Sequence, residues 1–193
     1  MSENTAVFEF IASRRSLKPK LLTEPSPTDA QFARAAQAAM RAPDHGSLVP
    51  YRFVRVKSED RGRLADVFEA AAKRQGADAD KQARSRSKAL KGPSLVGFVF
   101  SPDTECGISL DEQFLTAGAA LDQFMLALSA LGFGGIVLSG SVLADDGVQA
   151  FFCRKPGEKL IAWVICGTPT PEAKPQDAET REAPFTVWTP TAS

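Results

Sequence analysis

Apolar residues return along this chain with two periods, and the switches between them mark out the elements. Val7, Phe8 and Ile11 share one face of a helix that Asn4 or Thr5 can cap and that runs out near Arg14-Arg15. From Leu17 to Pro27 the prolines 19, 25 and 27 exclude a regular helix. Thr28 or Asp29 then caps a second helix, with Phe32, Ala36, Ala39 and Met40 at helical spacing and Pro43 ending it. Arg52 to Lys57 reads as a strand. Ser58 caps a helix carrying Leu64, Val67, Phe68 and Ala71, which Gly76 breaks. Residues 78–91 are charged, with a thin apolar face, and predict a solvated helix or a mobile lid. Ser94 to Phe100 is an unbroken apolar run between prolines and fits a buried strand.

The longest regular pattern is Leu110 to Leu131. Phe114, Ala117, Gly118, Leu121, Met125, Leu128 and Leu131 recur at helical spacing, and Phe124, Leu126 and Ala127 fill the other faces. A helix apolar nearly all round is central or lies in a subunit interface. Gly132, Gly134 and Gly135 end it. A short strand at Ile136 to Leu138, a short helix at Asp145 to Phe152 and a buried strand at Lys159 to Cys166 follow, the last stopped by Gly167-Thr168-Pro169. From Thr170 the chain is a Pro- and charge-rich tail ending in Pro184-Phe185-Thr186-Val187-Trp188. This order predicts an α+β protein, a mixed α/β sandwich rather than a doubly wound sheet. No dinucleotide fingerprint is present, because Gly132-Phe133-Gly134-Gly135 precedes a strand where that motif requires a helix. No Walker A sequence is present either.

At 193 residues the chain is expected to form one domain, 1–193, with a substantial core. Lys plus Arg and Asp plus Glu balance at 23 each, which argues against a dedicated nucleic-acid binder. Cys106, Cys153 and Cys166 are widely spaced and there is one histidine, so no zinc-ligand pattern exists. They read as buried, inert thiols of a reducing compartment. The first residues carry no basic region followed by an apolar run, and no stretch reaches the roughly 20 apolar residues a bilayer span needs. A cytoplasmic protein is the expectation.

Chemistry concentrates in two segments. Ser13-Arg14-Arg15-Ser16 puts two guanidiniums and a hydroxyl where a helix hands over to a loop. Arginine's paired donors match phosphate oxygens, although arginines also simply close helix C-termini. Met40-Arg41-Ala42-Pro43-Asp44-His45-Gly46-Ser47-Leu48-Val49-Pro50-Tyr51-Arg52-Phe53 packs prolines, a glycine, arginines and the lone histidine between a helix and a strand. A loop of that composition usually positions something. His45 lacks companions as a metal ligand and lacks a nucleophile partner as a base. Its better use is as a donor or planar surface against a cofactor.

In combination, Arg14-Arg15-Ser16, Glu24-Pro25-Ser26-Pro27, Ala39-Met40-Arg41-Ala42-Pro43-Asp44-His45, Pro50-Tyr51-Arg52-Phe53, Gly132-Phe133-Gly134-Gly135-Ile136, Ser139-Gly140, Gly167-Thr168-Pro169 and Pro184-Phe185 resemble the compact, single-domain branch of the bacterial FMN-dependent nitroreductases. The resemblance covers nearly the whole chain. It implies a central, mostly antiparallel sheet flanked by helices, a long central helix and a swapped C-terminal tail (170–193) wrapping the partner subunit. It implies a homodimer with FMN at the interface. Arg14, Arg15 and Ser16 would hold the phosphate and ring edge, with Arg41 and His45 contributed by the other subunit. Val137, Leu138 and Ser139 would lie along the ring. Ala127, Leu128, Ser129, Ala130, Leu131 and Gly132 would meet the nicotinamide dinucleotide. This chain departs at Val137-Leu138, where relatives usually carry an aromatic or polar residue and an arginine. It departs also after Ser16, where Lys18 and Lys20 replace a further phosphate arginine.

The activity implied is NAD(P)H-dependent reduction of a nitroaromatic, quinone or enone by ping-pong hydride transfer through FMN, with NADH or NADPH as donor and no catalytic side chain nominated. Arg41 or His45 could stabilise charge developing on the flavin. A flavin-binding or interaction protein on the same fold, with little turnover, is the alternative. The basic run Lys81 to Lys91 could bind an anionic partner or favour NADPH through its extra phosphate.

Overall fold

A computed structural model describes residues 4–173 and 184–188. Helix α1 (Thr5–Ser13) opens with the Asn4 side chain accepting from the Val7 amide at 3.3 Å. It buries none of its residues within the chain. After a 3-10 turn at Pro19–Leu21 comes β1 (Leu22–Thr23). Helix α2 (Asp29–Ala39) starts with a reciprocal cap between Thr28 and Gln31. Then follow β2 (Tyr51–Val56), α3 (Arg61–Arg74), α4 (Ala79–Leu90), β3 (Ser94–Phe100), α5 (Leu110–Ala130), β4 (Gly134–Leu138), α6 (Asp146–Phe152) and β5 (Lys159–Pro169).

β2 pairs with β3, β3 with β5, and β5 on its other side with β4; every pairing is antiparallel. Helices α2 and α5 cover one face of this sheet. There Phe53 and Phe124 stack at 4.1 Å among Phe32, Phe98 and Leu128. Helices α3, α4 and α6 cover the other, around Leu64, Phe68, Phe152, Trp163 and Ile165. Each large side chain buried fully in these layers contributes roughly 1.5–3 kcal/mol. A bulge between Phe98 and Val99 in the β3–β5 register sets Leu160 on the α3 side while Ala162, Val164 and Cys166 face α5. Gly97 lets α6 close on the sheet, since a Cβ there would stand 2.5 Å from the Phe152 ring.

Two expectations change and a third is resolved between its alternatives. Gly167-Thr168-Pro169 does not stop the last strand: Thr168 and Pro169 continue it by pairing with Thr23 and Leu22 of β1, at an edge where proline's missing donor is tolerated. Ser58 begins a 3-10 turn, and the helix proper starts at Arg61 without a side-chain cap. The charged segment forms α4, packed on α3 through buried Ser85 and Ala89, with the Ser85 hydroxyl donating to the Phe68 carbonyl. Small residues let two helices approach without a wide apolar stripe, and the rest of α4 is mostly exposed, so of the two alternatives the solvated helix is the one formed. Among the described residues no helix is long and apolar enough to cross a membrane. Most of the 170–193 tail lies outside the described residues; Phe185, Val187 and Trp188 within it are exposed.

Candidate functional site

The segment after α1 crosses the edge strand β4. Buried Leu17 donates its amide to the Gly135 carbonyl at 2.9 Å. The glycines permit that approach: a Cβ on Gly134 would lie 2.5 Å from the Leu17 side chain, and one on Gly135 would lie 3.0 Å from the Ile165 carbonyl oxygen. Residues alternate across a strand, so Gly134, Ile136 and Leu138 share one face of β4. Two cavities open along this strand. One, about 270 Å³, is lined by Ser13, Arg14, Arg15, Ser129, Gly132 and Gly134 among others. The second, about 580 Å³, has Ile136 and Leu138 as apolar floor and Lys18, Lys20 and Lys91 at its rim.

Arg14 and Arg15 are half-buried, and Arg15 also donates to the Ala173 carbonyl at 2.5 Å, tying the end of the helix–loop handover to the chain beyond β5. Ser16 is exposed. Lys91 reaches the rim from a loop fixed by Arg61. That guanidinium, 7% exposed, donates to the carbonyls of Ala89 (2.6 Å), Lys91 (2.8 Å), Gly92 (3.3 Å) and Pro93 (3.4 Å). Burial pulls its pKa down, and it has no carboxylate partner within ion-pair distance among the described residues. Gly92 takes a positive φ of 67°, and a Cβ there would overlap Ile165. Lys91 is therefore a member of this site that the chain pattern hid, because it sits at the end of a run read as solvated charge. Two lysine side chains near an arginine pair were visible in sequence; the third arrives only through the fold.

Val137 faces away from Ile136 and Leu138, and Ser139 is exposed past the strand end. In the 127–132 segment, Leu128 is buried in the core against α2 and the sheet, and the Ser129 hydroxyl is bonded to the Met125 carbonyl. Ala127 and Leu131 are half-buried, and Ala130 and Gly132 are exposed. Only Ser129 and Gly132 of this segment border the arginine-lined cavity.

Arg41 and His45 lie elsewhere. Arg41 is exposed, and His45 Nδ1 meets the Glu112 carboxylate at 2.9 Å in the first turn of α5, holding that carboxyl below its usual range. Glu112 and Ser129 are seventeen residues apart on one helix, about 25 Å along its axis. Within one chain His45 is thus remote from the arginine-lined cavity. Its loop is strained: Ser47 and Val49 hold φ values of 54° and 50°, the second rare for a β-branched residue. The Asp44 carboxylate accepting from the Val49 amide at 2.8 Å and Thr116 donating to the Pro43 carbonyl at 3.0 Å maintain it. Strain held so specifically points to a positioned surface.

Of the three thiols expected to be buried only Cys166 is; Cys106 and Cys153 are half-buried. Burial pushes Cys166 up to about 11, beside the Ser94 hydroxyl at 3.2 Å, and raises Cys153 as well. No group of three metal-ligating side chains occurs among the described residues.

A family model described as the nitroreductase family matches residues 11–168. Two bacterial proteins named "Putative NAD(P)H nitroreductase" align with most of the chain. YdjA of Escherichia coli K12 is 32% identical over 93% of this chain and 97% of its own length, and a protein of Haemophilus influenzae is 35% identical over 77% and 82%. Among solved structures, the nitroreductase-like family protein of Bacillus cereus superposes with a TM-score of 0.77 at 19% identity, over 95% of this chain and 94% of that one. The FMN-dependent nitroreductase NfnB of Mycobacterium smegmatis, solved with NADPH, gives 0.70 at 15% identity over 96% and 99%. At those identities the structural likenesses establish the fold.

Proposed function

The chain belongs to the nitroreductase family, and from that premise we propose that it is an NAD(P)H-dependent FMN oxidoreductase whose cofactor lies along the Gly134–Leu138 face of β4. One observation carries the reading: an arginine-lined cavity and a larger, apolar-floored, lysine-rimmed cavity lie along the same short strand. FMN has the matching chemistry, a flat apolar ring system joined through a polyol to a phosphate. Arg14 and Arg15 would hold the phosphate through paired donors. Ile136 and Leu138 would face the ring, so the leucine that replaces the family's arginine supplies contact area in place of charge. Lys18, Lys20 and Lys91 put positive charge beside that floor, where it favours the extra electron density of a reduced ring. When bound, FMN supplies the hydride chemistry between NAD(P)H and a flat acceptor, a nitroaromatic, quinone or enone. The names of the relatives and the NADPH-bound neighbour support this donor.

The active unit in this reading is a homodimer. Phe8 is 66% exposed and Ile11 53% on a helix that buries nothing in its own chain, and Leu115 on α5 is 73% exposed. A second copy would cover these surfaces and bring Arg41 and His45 to the first copy's cofactor. Light scattering is expected to give twice the chain mass, and a monomer would remove His45 from the site.

The visible spectrum of the protein after FMN addition and desalting tests the cofactor, followed by anaerobic NAD(P)H. A retained flavin spectrum that bleaches with donor and returns with quinone supports the enzyme. Retention without bleaching selects the flavin-binding alternative, and no retention refutes both.

A further inference from the structure

The cations of α4 divide into two sets. Arg86 turns to α3, where Asp66 and Glu69 pair with it. Lys81, Arg84 and Lys88, spaced three and four residues apart and therefore on one helical face, line a separate cavity of about 420 Å³. Its opposite wall is Gln75 and Gly76 at the end of α3, with Ser141 and Val142 from the turn after β4. Lys81 meets Asp78 at 3.4 Å with both side chains well exposed, whereas Arg84 and Lys88 have no acidic partner within ion-pair distance among the described residues. In a chain of zero net charge, three cations converging on one concavity, two of them unneutralised, favour a multiply charged anion.

The cavity is too large for a lone phosphate and falls in the range of small-molecule sites. It also adjoins the β4 face. Ser141 stands three residues past Leu138, so at most about 11 Å of chain separates its wall from the floor of the lysine-rimmed cavity. A reductant docked over Leu138 can extend its distal half toward α4. Arg84 offers a planar fork to phosphate oxygens, and the two lysines add point charges.

We infer that Lys81, Arg84 and Lys88 form the subsite for the phosphomonoester on the adenosine ribose of NADPH, and that they make this chain prefer NADPH to NADH. The inference rests on the flavin-oxidoreductase reading for its substrate, but binding tests it separately. Titration calorimetry with 2′,5′-ADP and 5′-AMP needs no turnover. Tighter binding of 2′,5′-ADP, lost in the Arg84→Ala/Lys88→Ala variant, is expected. Equal binding of the two nucleotides overturns the subsite, as does inorganic phosphate binding as tightly as 2′,5′-ADP, which would make the cavity a general anion site. In steady state with a fixed quinone at low salt, the double variant should lose about tenfold to a hundredfold in kcat/KM for NADPH, the worth of charge-assisted contacts, with NADH oxidation as the folding control. Added salt should shrink the wild-type preference. Equal donor efficiencies in the wild type, or equal losses for both donors, refute the assignment. A chain that binds 2′,5′-ADP yet neither retains FMN nor oxidises NADPH would sink the flavin reading and leave the subsite standing.

Discussion

Arg14→Ala is expected to weaken FMN and spare riboflavin, which is the same ring and polyol without the phosphate. Arg14 lines the smaller cavity on the β4 face and is half-buried there. A hydrogen bond to a charged group contributes about 1.5–3 kcal/mol, and partial exposure places this one at the lower end through solvent screening. About 1.5 kcal/mol corresponds to roughly tenfold in Kd. Arg15→Ala should cost FMN a similar factor and also lower Tm, because its guanidinium ties Ala173 to the loop after α1. Quenching of flavin fluorescence, titrated with FMN and riboflavin side by side, gives both affinities. Equal losses for the two flavins would show that Arg14 acts through the ring or the fold. No loss for FMN would move the phosphate to the other cation group, Lys18, Lys20 and Lys91.

The remaining predictions concern how the site is held. Glu158, 1% exposed, accepts from Arg52 at 2.8 and 2.7 Å, from Ser101 at 3.1 Å and from the amides of Arg154 and Lys155 at 2.6 and 3.2 Å. Glu158→Gln removes the charge from a part-buried, hydrogen-bonded pair and should cost about 1.5–3 kcal/mol, read as a lower urea midpoint; a loss under about 1 kcal/mol would contradict it. The Arg52 guanidinium holds the Glu158 carboxyl well below its usual value. Its contribution is therefore full above the ordinary carboxylate range and is lost progressively as pH falls from that range through the depressed folded value, so the gap between wild type and variant should begin to narrow below roughly pH 5 and close only in strong acid. Gly97→Ala drives a methyl to 2.5 Å from the Phe152 ring and should cost about 1–3 kcal/mol, with an unchanged Tm showing that α6 can retreat. Arg61→Leu strips donors from four carbonyls around Lys91 and should lower Tm by several degrees, because each buried acceptor left unpaired costs about 1–3 kcal/mol.

Which parts of this were readable along the chain follows from the range of the forces involved. Helix starts such as Asn4, Thr28 and Asp145 are local devices, a side-chain oxygen accepting from an amide two or three residues on, and the pattern of residues displays them directly. The buried run Ser94–Phe100 is equally plain, since burial on both faces leaves no polar positions. The extension of β5 through Pro169 was not legible, because it depends on a two-residue strand about 145 positions earlier. Nor was the packing of α4, whose contact rests on Ser85 and Ala89 being small.

The site divides along the same line. Arg14 and Arg15 are adjacent in sequence and meet one cavity together. Lys91 joins Lys18 and Lys20 only because Arg61, some thirty residues earlier, gathers the loop at Lys91–Pro93 by its carbonyls. The motif around His45 illustrates a further limit. Its strained backbone, its Glu112 partner and its exposure are all those of a positioned group, yet the length of α5 keeps Glu112 about 25 Å from Ser129 at the arginine-lined cavity. A residue so carefully held and so far from its own chain's arginine pair makes sense as a contribution to another copy. Arg41→Ala and His45→Ala should then weaken FMN binding only in the dimer, an effect absent from any variant, such as Phe8→Asp, that keeps the chain monomeric. Loss of FMN affinity on His45→Ala in a proven monomer would refute the shared site.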